Sequence, residues 1–402
     1  MSVVLPPAAW RDRAGLAALC AALDAGADGA RFVGGVVRDT LLGLPVHDID
    51  IATRFGPQAV IERVRAAGLK AVPTGLAHGT ITAVLPDGPV EVTTLRRDVS
   101  TDGRHAEVAF TDDWREDAAR RDFTINALYA DPSSGAVHDY FGGLDDLAVR
   151  RVRFIGDPLQ RIAEDHLRIL RFFRFSARFG AAIDPGGLAA CTARANDLMA
   201  LSRERVADEL LKLLVAAAAP ETVALMIAHG IFRPVLPEII SADRLARVAT
   251  FERAVGLPPH AIRRLAALLP DDPALADTIG ARLKLSNAQR KRLIAAVEPV
   301  LATPRALAYQ LGLEGAADRL ALHAAADEAL SSWRIIADWP VPRLPLSGGE
   351  LVARGLRKGP DVARTLRAIE ARWVAEDFPG GDRFAAIRDE GVAQALAALN
   401  SA

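Results

Sequence analysis

Two cysteines in 402 residues, Cys20 and Cys191, are too few for a disulfide framework or a cysteine-rich zinc site. An excess of one charge is missing as well. Lys and Arg number 49 against 50 Asp and Glu, a net charge of -1. That balance excludes a chain that grips nucleic acid by bulk charge and leaves such a role to local basic patches. No apolar run reaches the roughly 18 residues of a spanning helix, so no membrane association is expected. The N-terminal stretch MSVVLPPAAWRDRAG lacks the basic-then-apolar pattern of a secretory signal, and the expected compartment is the cytoplasm. Aromatics are scarce at 5%, whereas half the residues are hydrophobic. A chain of this length and composition is expected to form about two to three globular domains, leaning towards helix.

What is present begins at Arg31–Thr53, RFVGGVVRDTLLGLPVHDIDIAT. Arg31–Val33 reads as a short buried strand, and Val36–Leu42 as a helix. Gly34 and Gly35 lie at the turn between them, where bare backbone lets N–H groups approach a phosphate. After the turn Gly43-Leu44-Pro45 comes Asp48-Ile49-Asp50-Ile51. Residues two apart on a strand share a face, so Asp48 and Asp50 project together while Ile49 and Ile51 enter the core. Paired carboxylates repel unless a cation sits between them, and hard oxygen donors of this kind suit Mg²⁺ with water and substrate phosphates as its other ligands. A glycine turn followed by D-x-D predicts phosphoryl transfer, with Arg38 on the first turn of the helix.

Upstream, Trp10–Ala25 reads as a helix; downstream, Pro57–Ala67 reads as a helix and Thr80–Leu85 as a strand. Asp87-Gly88 is a hairpin turn, and Val90–Leu95 returns from it. An antiparallel strand beside the D-x-D strand could deliver Glu91 as a third carboxylate; an exposed strand glutamate is the equal alternative. Arg96–Phe110 reads as a flexible polar loop and Asp112–Ala119 as an acidic helix. In RRDFTINA, Arg121 can clamp phosphate or ribose oxygens, and Asp122 and Asn126 can bond sugar hydroxyls. HDYFGGLDDL, His138–Leu147, closes the first domain.

From Val152 on the pattern is helical. In EDHLRILRFFRFSARF, Glu164–Phe179, Asp165 and Arg168 are three apart and are expected to share a helix face. Arg171, Arg174 and Arg178 continue that face, while Leu167, Leu170, Phe173 and Ala177 fit the buried side. Cytosine and adenine offer a ring-nitrogen acceptor beside an amino donor; uracil and guanine offer a ring N–H beside a carbonyl. An Asp acceptor beside an Arg donor matches the first pair and mismatches the second. Two further basic stretches, Leu283–Leu293 and Gly355–Arg372, read either as solvated helix faces or as RNA contacts.

The ordered set GGVVRD–x8–DID, RRDFTINA, FGGLDDL, EDHLRILRFFRF and SRERVADEL resembles the class II tRNA nucleotidyltransferases, the CCA-adding enzymes, together with the bacterial poly(A) polymerases that share their head and neck. The motifs cover about Arg31–Leu214. The resemblance implies an α+β nucleotidyltransferase head, palm-like with a mixed sheet, followed by an all-α neck, body and tail. The corresponding divisions are a catalytic head over 1–149, a nucleotide-selecting neck over 150–218, and a body and tail over 219–402 that bind tRNA. It implies template-independent addition of CCA to the tRNA 3′ end from CTP and ATP. Asp48 and Asp50 would hold Mg²⁺ in a two-metal displacement; Glu91 is the candidate third catalytic carboxylate from the strand reading alone, its role open. Gly34, Gly35, Arg38, Arg121, Asp122 and Asn126 would bind the nucleotide's triphosphate and ribose. Asp139, Gly142 and Gly143 would form the hinge to the neck. Glu164, Asp165 and Arg168 would read C and A, with Arg171 nearby, and the loop Arg96–Phe110 could reorder as specificity shifts. Poly(A) polymerases of this family carry a basic segment where PTGLAHGTIT, Pro73–Thr82, stands here, and often a basic tail, which is not expected from AQALAALNSA. Enzymes adding only CC or only A stay open as alternatives, as do an inert RNA-binding module and transfer to a protein or small molecule.

Overall fold

Ala30–Val33 is buried at every position and forms β1, a central strand of the molecule. The computed structural model describes residues 3–101, 106–179, 182–299 and 302–400. The chain folds as two compact units, Met1–Ala242 and Asp243–Ala402. In the first, a short helix α1 (Leu16–Ala22) precedes β1. Then come α2 (Gly35–Leu41), β2 (Asp50–Thr53), α3 (Pro57–Ala66), β3 (Lys70–Gly75), β4 (Thr80–Leu85) and β5 (Gly88–Thr94). The expected single helix over Trp10–Ala25 is instead a 3-10 turn at Ala9–Asp12 and α1, parted at Gly15, whose φ of 85° leaves the helical region.

Next follow β6 (Arg96–Thr101), β7 (Ala106–Phe110), α4 (Trp114–Ala119), β8 (Leu128–Ala130), β9 (Val137–Asp139) and α5 (Gly143–Ala148). Seven strands make one mixed sheet in the order β3-β4-β5-β2-β1-β8-β9. Only the β2–β5 pairing is parallel; the other neighbours are antiparallel. The α+β head with a mixed sheet is therefore as expected. The stretch Arg96–Phe110, expected as a flexible loop, is instead an antiparallel ribbon of β6 and β7. Pairing the two arms satisfies their backbone N–H and C=O groups, and that wins over the loop expected from the charged sequence. The Asp102-Gly103 centre of that expectation lies outside the described residues.

The rest of the first unit is helical: α6 (Pro158–Glu164), α7 (Arg168–Phe179), α8 (Pro185–Ala193), α9 (Arg203–Leu214) and α10 (Ala219–Ala228). On α7, Leu170, Phe173 and Ala177 are buried as the spacing predicts, and Leu167 just before it is buried too. Phe123 and Phe154 pack on each other at 4.9 Å and against Phe172 and Phe175 of α7 at centroid distances of 5.5 to 6.3 Å, which ties α7 to the RRDFTINA segment.

The second unit runs through α11 (Asp243–Val255), α12 (Ala261–Ala266), α13 (Pro273–Arg282), α14 (Asn287–Val297), α15 (Pro304–His323), α16 (Ala326–Ile336), α17 (Gly348–Ala353), α18 (Pro360–Ala375) and α19 (Gly381–Asn400). Several cations of its two basic stretches are paired with carboxylates in place. Arg290 pairs with Asp277, Arg292 with Glu314 and Asp318, and Arg372 with Glu376 and Glu390. Ser286 opens α14 with a reciprocal capping box to Gln289. Ser286→Ala removes one half of it and is expected to destabilise this unit by about 1 kcal/mol, read as a lowered unfolding midpoint of the full chain with unchanged activity.

Candidate active site

The turn from β1 into α2 needs glycine at one position. Gly34 has φ 71° and ψ -119°, which a side chain tolerates poorly. A Cβ there would stand 3.4 Å from the Asn126 carbonyl and 3.5 Å from Arg121 Nη1. Beside Gly35, Arg38 Nη2 lies 3.7 Å from the corresponding point. The bare turn is thus a notch rimmed by the guanidinium groups of Arg38 and Arg121. Arg38 is buried and fixed on several sides. It donates to Asp39 Oδ1 at 2.8 Å and to the Asn126 side chain, and lies over the rings of Phe175 and Phe179.

Next to the notch, Asp50 opens β2. Ile49 and Ile51 are buried, Asp48 is exposed and Asp50 half-buried, so the alternation read from D-I-D-I holds. Glu91 sits in register with Asp50 on β5. The strand that brings it there is parallel to β2, not antiparallel as expected. The chain leaves β2 through α3, and the β3-β4-β5 meander returns β5 in the direction of β2. Burial, then Glu91 and Asp48, push the Asp50 carboxyl up to about 6 although Arg121 opposes them. Crowded like charges with too little positive charge nearby are what a divalent cation would relieve. Among the described residues no group of three or more His, Cys, Asp and Glu side chains is arranged to hold an ion alone. Asp48 and Asp50 fit a hard cation that completes its shell with phosphate and water oxygens.

Behind the notch lies a cluster around buried Asp117, a residue that the sequence reading missed. Asp117 on α4 accepts from Tyr129 Oη at 2.6 Å, Arg120 Nε at 2.8 Å and Arg121 Nη2 at 3.2 Å, and from the Arg96 backbone N–H at the root of the ribbon. Burial alone would raise its carboxyl, but Arg121, Arg120 and Tyr129 hold it down at about 2. A carboxylate on the acidic helix three and four residues before Arg120 and Arg121 was the available signal. Asp117→Asn keeps the shape and loses the charge. It is expected to raise the nucleotide KM about tenfold while the RNA KM stays put, and to add nothing in an Arg121→Ala background. Independent, additive effects in the double variant would mean that Asp117 does not act through Arg121.

Asp122 is brought to the same place. It accepts from Asn126 Nδ2 at 3.0 Å and from Arg171 Nε at 2.8 Å. Burial pushes this carboxyl up, yet Arg171 and Asn126 bring it to about 2. Arg171 thus reaches from the neck into the RRD segment. Arg174 bonds buried Glu209, and Arg178 reaches Asp39 at 2.8 Å. The basic stripe faces carboxylates rather than solvent.

One expectation fails in detail. Asp165 and Arg168 do not share a face of one helix. Asp165 is extended, with φ -151° and ψ 106°, between α6 and α7. Its Oδ1 accepts the Leu167 N–H, because a short acidic side chain caps a helix start better than it continues one. Arg205 holds both its oxygens at 3.1 and 2.9 Å. Arg168 bonds Glu164 at 2.7 Å, the Arg161 carbonyl at 3.0 Å and the Arg120 carbonyl at 2.8 Å. Both residues are in place near the site, each engaged with other groups.

At the hinge expected from FGGLDDL, Asp139 accepts the N–H groups of Phe141, Gly143 and Leu144, and Gly142 has φ 77°.

Comparison with known proteins gives a consistent picture. The family described as Poly A polymerase head domain matches residues 30–153, and the one described as Probable RNA and SrmB- binding site of polymerase A matches 180–243. The human protein CCA tRNA nucleotidyltransferase 1, mitochondrial, is 34% identical over 367 residues, covering 87% of this chain and 83% of its own. The CCA-adding enzyme of Limosilactobacillus fermentum is 34% identical over 360 residues, covering 86% and 88%. The crystal structure of the Bacillus stearothermophilus CCA-adding enzyme in complex with CTP is 28% identical, covers 94% of this chain and 97% of that one, and superposes with a TM-score of 0.73.

Proposed function

The chain belongs to the CCA tRNA nucleotidyltransferase family, and from that premise we propose that it adds CCA to the 3′ end of tRNA, using CTP and ATP. The observation that carries the reading is the register of Asp50 with Glu91 beside the Gly34 notch and Arg121. Enzymes of this family use a divalent metal, and Mg²⁺ is the ion proposed here, held by Asp48 and Asp50. When bound, it supplies positive charge to the triphosphate and lowers the pKa of the attacking 3′-hydroxyl.

The protein's own groups divide the remaining work. Gly34 and Gly35 leave room for phosphate oxygens, and Arg38 and Arg121 face them with fixed guanidinium groups. Asp122 and Asn126 offer an acceptor and a donor to ribose hydroxyls. Glu91 adds a third carboxylate at the reacting end. Glu164, Asp165 and Arg168, with Arg171, select the base. The oxygen–phosphorus bond to the primer forms as the bond to pyrophosphate breaks, so positioning and charge account for the catalysis. The head over 1–149, the neck over 150–218 and an RNA-binding body and tail over 219–402 form the proposed division of labour. No helix among the described residues is long and apolar enough to cross a membrane. Two unpaired cysteines suit a reducing compartment, and the cytoplasm is the proposed one.

The test is a primer-extension gel with a tRNA transcript lacking its last three nucleotides, Mg²⁺, and each NTP alone or CTP with ATP. Arrest after three additions that need both nucleotides is expected. Two cytidines only, or one adenosine only on a CC-ending tRNA, would mean a split-function enzyme. A long adenosine ladder would mean a poly(A) polymerase.

A further inference from the structure

The sheet has a half that the nucleotide-facing groups leave bare. In the order β3-β4-β5-β2-β1-β8-β9, Gly34 follows β1, and Asn126 and Arg121 precede β8, all to one side of Asp50. Glu91 and the strands β5, β4 and β3 lie to the other side. An in-line displacement sets the attacking oxygen and the leaving pyrophosphate on opposite sides of phosphorus. A triphosphate seated at Gly34 and Arg121 therefore leaves the attacking hydroxyl the β5-β4-β3 half.

That half carries hydroxyls. Thr82 stands opposite Glu91, and Thr80 opposite Thr93. Thr74 Oγ1 lies 2.8 Å from Thr82 Oγ1, and Thr80 Oγ1 lies 3.1 Å from Thr93 Oγ1. Glu91 and Thr74 are exposed and the other three threonines half-buried, whereas Ile81, Ala83, Val90 and Val92 between them are buried. The hydroxyl face is thus the open face, continuous with Asp50 and Glu91. Each threonine pair uses one hydroxyl hydrogen internally, so the second O–H and the remaining lone pairs can serve an outside group. From Glu91 across β4 to β3 the row spans about 10 Å. Groups that both donate and accept, without charge, suit ribose hydroxyls and phosphate oxygens brought up to carboxylates.

We propose that Thr74, Thr82, Thr80 and Thr93 seat the terminal ribose and phosphate of the RNA acceptor and present its 3′-hydroxyl towards Asp50 and Glu91. The inference rests on the nucleotidyl-transfer reading above. The threonine face sets acceptor affinity and leaves nucleotide affinity to the other half of the sheet.

The test is the double variant Thr74→Val, Thr82→Val, which keeps the β-branched shape of both strands. The KM for a tRNA lacking CCA is expected to rise about tenfold, with the CTP KM within about twofold and an unchanged unfolding midpoint. Binding of the same tRNA without nucleotide, followed by fluorescence anisotropy, is expected to weaken in parallel. An unchanged acceptor KM, or equal rises for tRNA and CTP, overturns the proposal while the reaction stands. A wild-type protein that extends no RNA but loses RNA binding on substitution keeps the acceptor face and overturns the reaction. If the wild type neither extends nor binds RNA, both fall.

Discussion

Replacing Asp50 by Asn is expected to cut nucleotidyl transfer about a thousandfold or more, while making the metal-free protein harder to unfold near neutral pH. The two effects share one cause. Burial and the neighbouring Glu91 and Asp48 raise the Asp50 carboxyl from 3.8 to about 6. A carboxyl that resists ionisation in the fold opposes folding once the unfolded chain would ionise it. That penalty is absent below pH 4, grows between about 4 and 6, and is constant above 6. Asparagine carries no such charge. In EDTA, the variant's unfolding midpoint should exceed the wild type's at pH 7.5 and match it near pH 4. Adding Mg²⁺ should raise the wild-type midpoint above pH 6 and raise the variant's much less, because binding to the folded state stabilises it. A variant with wild-type extension rates would remove Asp50 from the reaction. A midpoint difference that ignores pH would show that Asp50 is not crowded by its neighbours.

The parts of this site legible in the sequence are those that short-range geometry dictates. The glycine turn, the D-I-D-I alternation and the buried stripe of α7 depend only on residues a few positions apart. Gly34 keeps its bare backbone because its φ is positive and Arg121 stands close by. The direction of β5 was not legible, since it depends on how α3, β3 and β4 return the chain. Nor was Asp117, which gathers Tyr129, Arg120, Arg121 and the Arg96 backbone from separate elements. The break at Asp165 has no proline or glycine to announce it. It arises because the carboxylate caps α7 and is held by Arg205, a partner 40 residues away. The pairing of Arg178 with Asp39 spans 139 residues and joins two motifs that look independent along the chain.

Arg168→Ala is expected to collapse the discrimination of CTP over UTP by about a hundredfold, mainly by letting UTP in. Arg168 offers only donors, and in the fold two of its nitrogens are held by three hydrogen bonds. One guanidinium nitrogen bonds Glu164 and the Arg161 carbonyl; another bonds the Arg120 carbonyl. Asp165 offers only acceptors and is gripped by Arg205. A cytosine or adenine edge gives the arginine a ring-nitrogen acceptor and the aspartate an amino donor. A uracil or guanine edge gives N–H against N–H and carbonyl against carboxylate, and each mismatch leaves a buried polar group unmatched. Because both side chains hold partners already, the correct base must replace contacts of similar strength, whereas the wrong base replaces them with repulsion. In the proposed role of this pair, selectivity is a difference between two exchanges. Single-turnover incorporation of CTP, ATP, UTP and GTP measures it. If Arg168→Ala excludes UTP and GTP as strictly as the wild type, selection lies elsewhere. If Arg205→Ala relaxes selectivity as well, the hold on Asp165 is part of the template.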